Sequence, residues 1–161
     1  MKASQFDDNT ARFTMFAGGI ALVAGALAFL GVFTYLAASF NYPDVLDGAA
    51  SDVLPALLAT GAGGRAAWAF YSVLPLVFIP AGVGAFEALR GRAAGFMRVA
   101  ALFAFLAAVC MVLGLMRWPS MHWELALAWD TADSQQRALI AALFDGLNSY
   151  LGNFIGEFLG E

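Results

Sequence analysis

Charge is what this sequence has least of. Asp, Glu, Lys and Arg make up only 12% of its 161 residues, about half the share usual in a soluble domain. Eight basic residues stand against 12 acidic ones, a net charge of −4, and neither kind forms a block. That scatter excludes the basic face a nucleic-acid partner needs, and it excludes an acidic tail. Cysteine occurs once, so no intrachain disulfide exists; Cys110 sits in an apolar run and reads as a small buried hydrophobe. Histidine also occurs once. His122 has Glu124 two residues on, but residues at i and i+2 do not share a helix face, and no second histidine or cysteine lies nearby. A pigment or haem ligated by His122 is therefore the minor reading, and no other cofactor is expected. HExxH, GxSxG and a glycine-rich phosphate loop are all missing, which leaves no enzyme motif to argue from. No internal repeat is found among the apolar segments, so an inverted-repeat transporter has no support in the sequence.

Apolar residues are abundant, at 61%. A chain this short buries only part of its surface in its own core, so this excess needs a second apolar solvent. The sequence describes an all-α, polytopic membrane bundle of one domain, with four spans at about 13–37, 66–89, 97–116 and 138–161. Residues 13–37 carry no charge over 25 positions. At 1.5 Å per residue they cross a hydrocarbon core of about 30 Å with some tilt. The apolar region of a signal peptide runs to only about 7–15 residues, although Ala37-Ala38-Ser39 keeps a cleavage site in view. Pro75 and Pro80 lie inside the second span, where a bundle tolerates a kink. Glu87 closes it, one turn before Arg90. The third span is short and extends back to Phe96 if Arg98 snorkels.

Five basic residues (Lys2, Arg12, Arg90, Arg92 and Arg98) flank one side of these spans, and three (Arg65, Arg117 and Arg137) the other. The positive-inside rule then places the N-terminus in the cytoplasm. Trp68, Trp118, Trp123 and Trp129 all fall on the opposite side, with Tyr35, Tyr42 and Tyr71. Such rings favour the headgroup layer, so the four tryptophans are expected as interfacial anchors in an aromatic belt.

Two outer loops, 41–65 and 117–137, are long enough to hold structure. In the first, Tyr42-Pro43 predicts an extended entry and Ser51-Asp52 a helix cap. Val53, Leu54, Leu57 and Leu58 share one face of a short helix that lies on the membrane surface or caps the bundle, and Gly61-Ala62-Gly63-Gly64 is its stop. In the second, Trp123, Leu125, Leu127 and Trp129 predict another interfacial helix. Thr131-Ala132-Asp133-Ser134 then opens the last long helix with groups suited to an N-terminus.

That last helix ends in DGLNSYLGNFIGEFLGE. On an α-helical wheel of about 100° per residue, Asp145, Ser149, Asn153, Glu157 and Glu161 occupy one sector. Gly152, Gly156 and Gly160 overlap it, and Asn148 adds to the polar set. Phe144, Leu147, Leu151, Phe154, Ile155 and Phe158 gather on the other side. In the spanning reading the greasy half meets lipid, while the polar, glycine-lined half meets other helices. A central carboxylate costs on the order of 2.5–3.5 kcal/mol on insertion scales, so Glu157 then needs a partner, a wet cavity or a proton. In the alternative reading the helix lies flat in the interface. Helices of that kind carry Lys and Arg on their polar face, which this one lacks. Each glycine would also cost an unpacked helix about 1 kcal/mol.

NYPDVL after the first span, SDVLPALLATG, and GLNSYLGNFIGEFLG in the fourth resemble an uncharacterised bacterial family of multi-span membrane proteins, known as a domain of unknown function. The resemblance implies a helical bundle in a bacterial inner membrane and assigns no chemistry. It also implies further spans beyond the glycine-rich helix, and Glu161 ends the sequence in mid-pattern, so the natural chain is expected to continue. The function this predicts is a structural or accessory membrane subunit, bound to other subunits or to its own copies through Gly152, Gly156 and Gly160. A small-solute or proton-coupled transporter, using Asp145, Asn153 and Glu157, is the alternative.

Overall fold

A computed structural model describes residues 2–160, and their side chains from Asp8 onward. Among the described residues the chain is helical with no strands. Helix α1 is Lys2–Phe40, α2 Ala50–Ala59, α3 Gly61–Val73, α4 Phe78–Met116, α5 Trp123–Thr131 and α6 Ser134–Leu147. A 3₁₀ turn, Asp44–Asp47, precedes α2, and a second, Leu74–Val77, joins α3 to α4. Wider π-helical segments follow α4, at Trp118–His122, and α6, at Asn148–Phe158.

Three continuous helical stretches are long and apolar enough to cross a membrane: Asp8–Phe40, Gly61–Thr131 and Ser134–Phe158. The middle stretch, of 71 residues, does not run straight. Its backbone leaves helical geometry at Ala93 (φ −152°, ψ 51°), between Arg92 and Ala94. A Cβ added at Gly82 would lie 3.2 Å from that of Ala104, so α4 folds back on itself with the break midway between the two. Side chains such as Phe13, Phe16 and Phe96 are more than two-thirds exposed. Apolar surface on that scale belongs in lipid; this is a membrane protein.

Bare backbone sets where the rods cross. A Cβ on Gly18 of α1 would stand 2.8 Å from the Gly84 Cα of α4, and one on Gly114 would stand 2.6 Å from the Gly156 Cα of the last helix. No side chain larger than hydrogen fits at either contact, so the helices approach as closely as their main chains allow.

The core lies at one end. Leu36 and Phe40 of α1, Val53, Leu54 and Leu57 of α2, and Trp68 and Tyr71 of α3 meet Trp118, Trp123 and Phe144 there. Here α2 caps the bundle with its greasy face turned inward. Its N-cap, however, is Ala49 with no side-chain hydrogen bond, not Ser51 or Asp52. Gly61-Ala62-Gly63-Gly64 does not end α2 in coil either; it forms the first turn of α3, and Gly61, at φ +63°, supplies the left-handed residue that lets one helix follow another. Downstream, the expected cap is present: Asp133 accepts from the Gln136 N–H at 2.9 Å, and the Gln136 side chain accepts from the Asp133 N–H.

The aromatic belt requires correction. Trp68 and Trp118 are fully buried and stacked at 4.8 Å, and Trp123 is nearly buried. Only Trp129, partly buried under the Arg137 guanidinium, retains an outward surface. A ring that anchors in headgroups must face them; three of these four pack against protein, because enclosing a large flat ring gains more contact than leaving it at the edge.

Candidate functional site

The sequence leads into the site through GLMRWP. Pro119 has no N–H to give to the Leu115 carbonyl, and its ring crowds that carbonyl. The helix widens there, so that the His122 N–H reaches the Arg117 carbonyl at 2.8 Å, a five-residue step. Arg117 therefore leaves the end of α4 at the point where the last helix crosses it.

Arg117 is buried, with 4% of its surface exposed. Its Nε donates to Asn148 Oδ1 at 3.0 Å and its Nη1 to the Gly114 carbonyl. Asn148 Nδ2 in turn donates to the Leu46 carbonyl at 3.1 Å, so one polar chain ties α4, the last helix and the turn before α2. The guanidinium lies flat against Gly152, where a Cβ would stand 2.5 Å from Nη2. Among the described residues the ion pairs are Arg65–Glu124 and Arg90–Glu87; Arg117 belongs to neither. A charge withdrawn from water without a contacting counter-charge is expensive, by several kcal/mol in real proteins.

Beside this guanidinium lies a cavity of about 380 Å³, walled by Phe29, Tyr42, Tyr71 and Trp118, with Glu157 also on its lining. Tyr42 and Tyr71 meet edge to face at 6.0 Å. Among the described residues the Trp118 indole N–H has no hydrogen-bond partner. The His122 ring, fully buried between Trp118 and Phe144, has none at either nitrogen. Among the described residues no three His, Cys, Asp or Glu side chains gather as a metal site.

The structure separates residues that the helical wheel had put together. Gly152 and Gly160 are buried and Gly156 is partly so; their neighbours are Arg117, Met111 and Gly114 of the same chain. Asn148 is half-buried in the Arg117 network, while Asp145, Ser149, Asn153 and Glu157 are exposed. Glu161 lies outside the described residues. Phe144, expected on the lipid side, is fully buried in the core, whereas Phe154 and Phe158 are exposed. Beyond residue 147 the reason is the helix type. Residues 148–158 are π-helical, so each turn holds more residues than an α-turn, and a spacing of four falls short of a full turn instead of overshooting it. The polar and bare series drift in the sense opposite to the wheel, and it is the glycines, with Asn148, that meet the neighbouring helix.

Arg117 escaped the sequence-based reading, which took it as a cation bracketing a loop. The available signal was its position: one cation between an 18-residue uncharged run and a tryptophan-proline pair.

Neither the curated proteins nor the solved structures gave a match to this chain. Residues 17–160 match the family described as Domain of unknown function (DUF4386), which is nearly the whole sequence, and the chain belongs to that family.

Proposed function

We propose that the protein is a structural or accessory component of a bacterial inner-membrane assembly, and that it engages further helices through the outer flank of its last helix. The chain makes four passes in this reading, with the break at Ala93 and the N-terminus on the cytoplasmic side. The observation that carries it is the exposure of Asp145, Ser149, Asn153 and Glu157 on a helix apolar enough to span. Polar groups cannot face acyl chains without cost, and side-chain hydrogen bonds between spans are how such groups are satisfied. The glycines contribute inside the chain, by letting the last helix seat against α4. The partner surface is thus the polar flank rather than Gly152, Gly156 and Gly160.

Replacing Ser149 and Asn153 together by leucine tests this. The variant is expected to insert and fold, yet to migrate as a smaller species on native-state mass spectrometry from mild detergent. An unchanged assembly mass in that variant would overturn the reading.

A small-solute transporter is the second reading, favoured by the cavity beside Arg117 with Glu157 on its wall. Solute flux into proteoliposomes that Glu157→Gln reduces at least tenfold is its expected result; wild-type vesicles no leakier than empty ones would remove it.

A further inference from the structure

We propose that the cavity beside Arg117 is a binding site for a small monocarboxylate with an apolar, ring-sized body. The proposal stands apart from the accessory role, which rests on Asp145, Ser149 and Asn153, none of which lines the cavity; Glu157 alone borders both.

Three observations converge on it. The first is the unspent capacity of the cation. A guanidinium carries five N–H donors; one is given to Asn148 and one to Gly114, and among the described residues the remaining three have no hydrogen-bond acceptor. Those three belong to Nη1 and Nη2, the end of the fork that receives a carboxylate in a bidentate manner. The second is the wall. Phe29, Tyr42, Tyr71 and Trp118 offer ring faces and edges, which suit an aromatic or short aliphatic body. The third is size, since about 380 Å³ falls within the range of small-molecule sites, about 300–1,000 Å³.

Charge sets the valence. Glu157 shares the lining and repels any anion, so a second negative charge would meet repulsion with no second cation on that lining to offset it, and a single carboxylate is the most that Arg117 accepts. Arg117 also cannot swing away, because Asn148, Gly114 and the bare Gly152 hold it on three sides. The site is built before the ligand arrives, which lowers the cost of binding.

The test uses the full chain in lipid nanodiscs, with intrinsic tryptophan fluorescence as readout, titrated with benzoate and with hexanoate. Benzyl alcohol and benzylamine, of the same bulk without the negative charge, are the controls. Saturable quenching by both carboxylates and by neither control is expected. Phe29→Trp should weaken binding at least tenfold by filling the cavity, read by isothermal titration calorimetry because the variant adds an indole at the site itself, with circular dichroism confirming that it folds. Glu157→Gln should tighten it. Oleate supplied in the bilayer is the arm for a membrane source of the same chemistry: competition with benzoate identifies one shared carboxylate site. No saturable response to either carboxylate, an equal response to benzyl alcohol, or unchanged affinity in Phe29→Trp would each overturn the proposal.

Discussion

Arg117 and Gly152 form a unit in which the smallness of one residue permits the charge of the other. With any side chain at 152 the guanidinium would have to leave its seat, because the added Cβ would stand within 2.6 Å of Cζ. Gly152→Ala is therefore expected to destabilise the bundle by about 1–3 kcal/mol, the usual cost of forcing extra volume into a packed site. Thermal unfolding in detergent measures it. Placed in an Arg117→Met background, the same alanine should cost far less, and a double-mutant cycle reads out that coupling. Additive losses would show that the two residues do not share one space. Neither partner was conspicuous in the sequence: Arg117 looked like a loop cation and Gly152 like a partner-facing glycine. Their relation depends on a helix crossing between positions 35 residues apart, which spacing along a chain does not encode.

At the scale of elements, what was legible followed from period and length. The apolar runs show where the rods are because 25 uncharged residues have few alternatives in water or lipid, and the Arg90–Arg98 cluster marks a connection that the structure breaks at Ala93. The start of the last long helix at Thr131-Ala132-Asp133-Ser134 was legible for the same local reason, and the structure adds the reciprocal bonds between Asp133 and Gln136. Asp133→Ala is expected to cost about 0.5–2 kcal/mol and to speed amide exchange at residues 134–137. The face of the last helix was not legible, since the step from α to π geometry reverses the drift of residues spaced by four. Crossing contacts were missed too, and they make a sharp prediction. Gly156→Leu should push the last helix off Gly114 and lower the unfolding temperature, whereas Gly31→Leu, with nothing within 4 Å of its Cβ, should fold like the parent. Equal behaviour of the two variants would remove the close-approach argument.

For the whole molecule, the packing is one-sided: the aromatic core and the α2 cap close one end, while toward Ala93 and Phe13 the large apolar side chains, among them Phe13, Phe16 and Phe96, are mostly exposed. In the proposed topology, with the N-terminus cytoplasmic, the capped end would face outward. Cysteine labelling checks this directly, because the native Cys110 is buried and contributes little background. An impermeant maleimide added to intact cells should label Asp130→Cys and leave Arg92→Cys untouched until the membrane is opened. The reverse pattern would invert the topology, and labelling of both would break the four-pass arrangement. The tryptophan distribution could not have decided this, since burial in a core and anchoring in headgroups both place these rings toward one end.

The two points where main chains touch, Gly18 on Gly84 and Gly114 on Gly156, carry a genetic corollary. When a bulky residue damages an ordinary contact, the opposing side chain can shrink in compensation. Here the opposing residue is already as small as chemistry allows. Revertants of a Gly84 or Gly114 lesion should therefore never arise at the facing glycine; they should be true reversions, or fall at flanking positions that tilt one rod away from the other.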